Sequence, residues 1–396
     1  MSTKRTAILN HAHGKQRGAA LLIMLVILVV GAAAVLINSL TSSTVKTARQ
    51  EKTAAALAQA KDALIGRAVA DFTSPGSLPC PDTNDDGSAE STVGQPSGNC
   101  PSYIGRLPWK TLGLPDLRDG SGERLWYVLS PSFRDYVTLN PINSNTLGNL
   151  NVSGTTPASN VIAIVFAAGP AVNGQNRSPT NQAICTTNGL TVAESWCATN
   201  YLEGTNPAPS PQASPNLNYL SADTNSTFND RLMIIGTRDL IPLVEKRVAT
   251  ELKGIFSSYI AVNPGKYPNP ANITCSTSTN CNFDTTQCRG WIPVGANIPA
   301  NWTLPSWFIP NGWYRVIYYS AGSNRLNLTP SGCNLTVSGA PTQALFFMPG
   351  SPLGSITRPS SNPSDYLEDA ENQNMDDTYV LPGSTAISND SLYTLP

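Results

Sequence analysis

Apolar and polar positions follow two different patterns along residues 1–70. The range Ala19–Leu40 carries no charged side chain, and as a helix its 22 residues would measure about 33 Å. Such a run can cross the hydrocarbon core of a bilayer. Beyond it, apolar residues recur on one helical face, at Leu57, Ala60, Leu64 and Ala68. Since no proline interrupts residues 1–72, the pattern predicts one helix from Ala19 to about Val69, apolar throughout its first half and amphipathic in its second.

Positive charge precedes the apolar run, because residues 1–18 contain Lys4, Arg5, Lys15 and Arg17 and no acid. This asymmetry predicts a cytoplasmic N-terminus, a single membrane span and an exported remainder. A secretory signal peptide would end in a cleavage site after the apolar run, but here the run continues directly into the amphipathic pattern. The sequence therefore favours a retained helix.

The remainder repeats one series of signals twice. Pro75–Pro81 and Pro264–Pro270 both read P-G-x-x-P-x-P, and each follows an amphipathic pattern. Strand-like and loop segments then recur in the same order: Leu125–Ser130 and Val316–Ser320, Ala163–Phe166 and Ala344–Phe347, and Tyr201-Leu202-Glu203 and Tyr366-Leu367-Glu368. The series predicts a duplicated unit of one helix and a small antiparallel sheet. The predicted divisions are a leader at 1–18, a helix at 19–70, a first head at 71–240 and a second head at 241–396.

Composition argues against several classes of function. Charged residues make up 13% of the chain, below the average of about 25%, and the net charge is −1, so nucleic acid is not an expected partner. The only histidines, His11 and His13, lie before the apolar run, which leaves the remainder without an imidazole base or ligand. No P-loop, G-x-S-x-G or H-E-x-x-H motif occurs. We predict that the protein is not an enzyme.

The eight cysteines all follow the apolar run, and none forms a C-x-x-C pair, which indicates disulfides rather than redox or metal chemistry. In the first half the simplest pairing is Cys80–Cys100 and Cys185–Cys197. The second half contains Cys275, Cys281, Cys288 and Cys333 and allows three pairings, which the sequence leaves open.

An acidic loop follows Cys80. Its oxygen-bearing residues at alternate positions resemble the opening of a calcium loop, because they can point inward together and Gly87 permits a sharp turn. The candidate ligands are Asp82, Asn84, Asp86, Ser88 and Glu90. Position 12 of such a loop would be Val93, where an EF-hand has glutamate. Calcium is thus the cofactor that the sequence suggests, and an Asx-rich turn that binds nothing is the alternative.

The junction Lys15-Gln16-Arg17-Gly18 followed by Ala19–Ile23 resembles the prepilin class. The resemblance implies cleavage between Gly18 and Ala19 by a prepilin peptidase and methylation of the new terminus. Most members carry glutamate five residues after the cut, whereas this chain has Ile23, as in K-type pseudopilins and some minor pilins. The segment from Leu114-Pro115-Asp116 to the aromatic run at Tyr127 is similar to the major-pseudopilin pattern.

These observations together predict an α+β fold: a long N-terminal helix, half transmembrane and half amphipathic, followed by two pilin-like heads. The predicted function is an assembly subunit, minor or at a filament tip, of a type IV pilus or a type II secretion pseudopilus. Its partners would be other pilin subunits, the prepilin peptidase and the bacterial inner membrane, with the heads in the periplasm or outside the cell. The alternative is a single-pass anchored binding protein or adhesin, with or without calcium, that does not polymerise.

Overall fold

The structure is a computed structural model. It describes residues 17–136, 140–172, 174–177, 184–187, 190–193, 198–207, 215–295, 301–323, 332–354, 356–374, 376–383 and 388–395. At 17–23, 33–42, 184–187 and 190–193 this description is limited to the backbone. The chain forms two compact units, Met1–Lys52 and Thr53–Pro396, which are described separately.

Three α-helices and fifteen strands make up the described chain. The helices are α1 Arg17–Ala70, α2 Thr237–Val262 and α3 Ala370–Gln373. The strands are β1 Ile104–Arg106, β2 Trp126–Leu129, β3 Leu150–Gly154, β4 Ala158–Ala167, β5 Ile184–Thr187, β6 Leu190–Ala193, β7 Asn218–Ser221, β8 Arg231–Gly236, β9 Arg289–Trp291, β10 Tyr318–Ala321, β11 Thr336–Val337, β12 Ala340–Pro341, β13 Ala344–Met348, β14 Thr378–Tyr379 and β15 Ser391–Leu395.

Two sets of four antiparallel strands have the same spatial order relative to their order along the chain. In the first copy, residues 53–236, the order is β1-β2-β4-β8, with β3 and β7 continuing the sheet. In the second copy, residues 237–395, the order is β9-β10-β13-β15. Matching residues make matching contacts, since Tyr127 donates its hydroxyl to Pro79 O and Tyr319 donates to Pro268 O. The sequence repeat is therefore also a repeat in three dimensions.

A helix covers each sheet. The α1 residues Leu57, Ala60, Leu64 and Ala68 are at most 4% exposed. They share a core with Tyr127 and Leu129 of β2, while alternate β2 residues face a smaller second cluster, as the two-residue period of a strand requires. In α2, Phe256 packs on Tyr319 of β10 and Phe346 of β13.

The two copies are joined rather than separate. Apart from the smaller second cluster in the first copy, buried residues of both copies belong to one hydrophobic core within the single unit Thr53–Pro396. Arg247 of α2 donates to the carbonyl oxygens of Val69 and Asp71 at the end of α1, and Lys61 pairs with Asp239 at 2.9 Å. The arrangement is mixed α/β, and the predicted α+β fold class is wrong.

The predicted transmembrane helix also requires correction. Among the residues whose placement the structure describes, no helix is long and apolar enough to cross a membrane. The predicted membrane half of α1, and with it the single-pass inner-membrane location, is therefore wrong.

Candidate functional site

The predicted processing junction lies at the start of α1. Gly18 and Ala19 are helical, but their side chains are outside the described residues. Further along α1, Met24–Val30 are seven consecutive apolar residues, each between 49% and 75% exposed. Apolar side chains are exposed to solvent on every side of this part of the helix. Such exposure is typical of a helix that is covered by a partner.

The acidic loop satisfies its carboxylates internally. Asp82 is buried, and its carboxylate accepts hydrogen bonds from the backbone N–H groups of Asn84, Asp85 and Gly87 at 2.7–3.1 Å. Burial raises the pKa of Asp82, although these three N–H groups oppose the rise.

Other candidate ligands also accept hydrogen bonds from within the loop. Asn84 accepts from Asp86 N at 3.0 Å, Asp86 accepts from Ser88 N at 2.6 Å, and Glu90 accepts from the Thr83 hydroxyl at 2.7 Å. The five residues therefore form a network of Asx-type turns.

Cations from elsewhere in the chain surround this loop. Arg124 pairs with Asp85 at 2.9 Å, Arg106 lies 3.9 Å from the same carboxylate, and Lys110 donates to the carbonyl oxygen of Asp86. These positive charges disfavour a divalent cation at the loop. In the described part of the chain, no group of three or more His, Cys, Asp or Glu residues is arranged to hold a metal ion. Calcium binding stays a prediction.

All six cysteines whose side chains the structure describes form disulfides. Cys80 pairs with Cys100, as the simplest pairing expects, and the second half adopts Cys275–Cys281 and Cys288–Cys333. The side chains of Cys185 and Cys197 lie outside the described residues. The Cys80–Cys100 bridge closes the acidic loop, since its two ends are 20 residues apart.

A buried polar cluster in the first copy was not predicted. Arg177 donates to the carbonyl oxygens of Gly169, Asn200 and Tyr201 at 2.7–3.2 Å, and its guanidinium lies over the Tyr201 ring at 4.7 Å. The backbone N–H of Glu203 donates to Asp230 Oδ2 at 2.9 Å. In return, Glu203 Oε2 accepts the N–H of Asp230 at 3.0 Å.

The second copy contains an equivalent arginine and an equivalent pair of glutamate and aspartate. Arg358 donates to the carbonyl oxygens of Gly350, Asp365 and Tyr366 and lies over the Tyr366 ring at 4.8 Å. The N–H of Glu368 donates to Asp390 Oδ2 at 2.9 Å. In both copies eight residues separate the glycine from the arginine, and the aspartate directly precedes the last strand of the sheet.

The aspartates of these clusters have strongly perturbed pKa values. Burial raises the pKa of Asp230 to about 8 and that of Asp390 to about 9, and the neighbouring glutamate of each pair adds to the rise. A third acid, Glu245 of α2, is fully buried, and burial raises its pKa to about 7. Asp230 Oδ1 is buried and has no hydrogen-bond partner among the described residues.

The sequence did carry a signal for these clusters. The predicted repeat includes the two Tyr-Leu-Glu segments, but it does not extend to Arg177 and Arg358 or to the Asn-Asp pairs before β8 and β15. Aligning those positions would have identified both clusters as one repeated motif.

Comparison with known proteins does not assign the chain to a family. No protein-family model matches the chain, and no curated protein and no solved structure matches it. The resemblance to prepilins and pseudopilins therefore rests on the residues quoted for it alone.

Proposed function

We propose that this protein is an assembly subunit that packs against other subunits through α1, in a filament of the pilin type. The observation that carries the proposal is the exposed apolar segment Met24–Val30. The Gly18–Ala19 junction supports it through its resemblance to prepilin processing sites. Prepilin peptidase and other pilin-like subunits are the proposed partners.

The energetics favour association through this segment. Burying an aliphatic side chain that is otherwise exposed contributes roughly 1.5–3 kcal/mol. Seven partly exposed side chains thus offer a gross stabilisation on the order of 10 kcal/mol, from which the entropic cost of association is subtracted. The body of the protein, by contrast, keeps the second half of α1 in its own core, through Leu57, Leu64 and their neighbours.

A matched pair of substitutions tests the proposal. Val29 in α1 and Val262 in α2 are both helical and both 57% exposed. Sedimentation velocity over a range of concentrations would compare the wild-type chain with Val29→Asp and Val262→Asp. A buried unpaired charge costs several kcal/mol, so we expect Val29→Asp to weaken self-association at least 100-fold. We expect Val262→Asp to associate like wild type.

Two results would contradict the proposal: a wild-type chain that is monomeric at every concentration, or equal association of the two variants. A monomer would favour the alternative of a binding protein that does not polymerise. Processing is tested separately by the intact mass of the chain after co-production with an active or an inactive prepilin peptidase. A start at Ala19 with the active peptidase alone would support the proposed maturation, and a start at Met1 in both samples would refute it.

A further inference from the structure

We propose that each copy contains a proton-dependent clamp, Glu203 with Asp230 and Glu368 with Asp390, which holds the Tyr-Leu-Glu turn to the start of the last strand and loosens as the pH rises. The clamp residues are distant in sequence, 27 and 22 residues apart, yet in both copies the glutamate N–H donates to the aspartate Oδ2. No assembly function requires such a device, so it stands independently of the proposed function.

Counting hydrogen-bond donors places the proton on the aspartate of the first pair. Glu203 accepts from Gln175 Nε2 at 2.7 Å and from two backbone N–H groups at 2.9 and 3.0 Å, so both of its oxygens are occupied as acceptors. Asp230 Oδ2 accepts from Glu203 N and from Asn206 Nδ2 at 2.8 Å. Asp230 Oδ1 is buried and receives no hydrogen bond from the described residues. A hydroxyl at Oδ1 that donates to the Glu203 carboxylate satisfies both groups.

In the second pair, too, one aspartate oxygen accepts a hydrogen bond and the other has no partner among the described residues. Glu368 Oε2 accepts from the backbone N–H of Asn389 at 3.1 Å, and Asp390 Oδ2 accepts from Glu368 N. Asp390 Oδ1 is again buried without a donor among the described residues. The same unpartnered oxygen at equivalent positions indicates one arrangement used twice.

The surrounding charges differ between the copies. Arg177 is near the first pair but forms its ion pair with Glu123 at 3.3 Å. In the second copy Arg358 lies 4.0 Å from Glu368 Oε1, and the carboxylate of Glu245 also interacts with Arg358 and Glu368. Tyr366 lies against Arg358. The first pair is therefore the simpler place for a test, because Glu245 does not contact it.

Loss of the proton would leave two carboxylates facing each other in a buried site, and their repulsion weakens the clamp. The raised pKa of each aspartate sets the direction of the effect: the stabilisation is fully present below the ordinary aspartate pKa and is lost as the pH rises through the folded value, about 8 for Asp230. The core sheet has no part in the titration, so we infer local loosening rather than unfolding.

Hydrogen exchange at the Glu203 amide, which donates to Asp230 Oδ2, provides a direct readout. After correction for intrinsic exchange rates, we expect protection in the wild type to fall about tenfold for each pH unit between the ordinary aspartate pKa and the folded value of about 8, and to level off above it. Asp230→Asn mimics the protonated acid, because its amide NH₂ can donate to Glu203 while its oxygen keeps the two accepted bonds. Its protection should not change with pH. Glu245→Gln is the control and should retain the wild-type response at Glu203.

A wild-type response that Asp230→Asn leaves unchanged would overturn the clamp, and so would protection that is constant with pH in the wild type. If the variant does not fold, carbon NMR of wild-type protein labelled at the aspartate carboxyl carbon gives a second measurement. Two aspartates that titrate well above the others support the proposal. Titration of every aspartate near its ordinary value refutes it.

Discussion

Replacing Glu245 by glutamine should change how stability depends on pH. Glu245 is 3% exposed in the middle of α2, and it connects the copies because Ser144 Oγ of the first copy and Gly350 N of the second both donate to its Oε1. Glutamine preserves an oxygen at that position and removes the titration. The perturbation therefore separates the ionisation of this group from its packing.

The size of the effect follows from the pKa. Burial raises the pKa of Glu245 from an ordinary 4.5 to about 7. Because the folded value is the higher one, its stabilising contribution is complete below pH 4.5 and is lost as the pH rises to about 7. At 1.36 kcal/mol per pH unit, the loss is roughly 3 kcal/mol. The unfolding free energy of Glu245→Gln should thus equal that of wild type at low pH and exceed it by roughly 3 kcal/mol at about pH 8.

Urea denaturation with intact disulfides, followed by tryptophan fluorescence at several pH values, measures this difference. Glu251→Gln is the control, since Glu251 is on the same helix in a partly exposed pair with Arg247 that is worth less than about 1 kcal/mol. A free-energy difference between wild type and Glu245→Gln that stays constant from about pH 4 to about pH 8 would refute the assignment of this titration to Glu245.

Three further substitutions test the fold. Leu64→Ala should lower the unfolding free energy by about 2–5 kcal/mol in the same urea assay, because the Leu64 side chain is fully buried between α1 and the core; a loss below about 1 kcal/mol would contradict this packing. Replacing Cys80 and Cys100 together by serine should cost about 2–4 kcal/mol, read from the melting temperature with and without reductant, and equal melting of both proteins in oxidising buffer would argue against the bridge. Gly105→Ala should destabilise the protein, because the added Cβ would meet a backbone carbonyl oxygen. Gly254→Ala should stabilise it by about 0.5–1 kcal/mol, because the added Cβ meets nothing and alanine favours the helix α2. A higher melting temperature for Gly105→Ala than for Gly254→Ala would refute both placements.

Local patterns predicted the elements that depend on local physics. The spacing of Leu57, Ala60, Leu64 and Ala68 identifies the buried face of α1, because a helix places such residues on one side whatever it packs against. The run Leu125–Ser130 similarly contains β2, since aromatic and β-branched residues favour strands. The repeat anchors gave the order of similar segments along the two halves of the chain, and the order of strands within the sheets came from the structure.

The errors arose where the outcome depended on surroundings. An uncharged run such as Ala19–Leu40 suggested a membrane span, but no such span exists among the described residues. The calcium prediction is untested, and it too depends on surroundings, because the oxygens of the acidic loop can bind calcium or accept backbone N–H groups. Arg124 and Lys110, 39 and 24 residues from the loop residues that they contact, place positive charge at this loop.

What the sequence by itself determined is therefore the helical face of α1, the strand segments and the existence of an internal repeat, all of which follow from side-chain periodicity and residue type. The tertiary structure decided that the two copies share one core, and that Glu203 meets Asp230 while Glu368 meets Asp390. A carboxyl group has an ordinary pKa in an extended chain. It becomes a buried acid with a raised pKa when the fold removes water and brings a second carboxylate beside it.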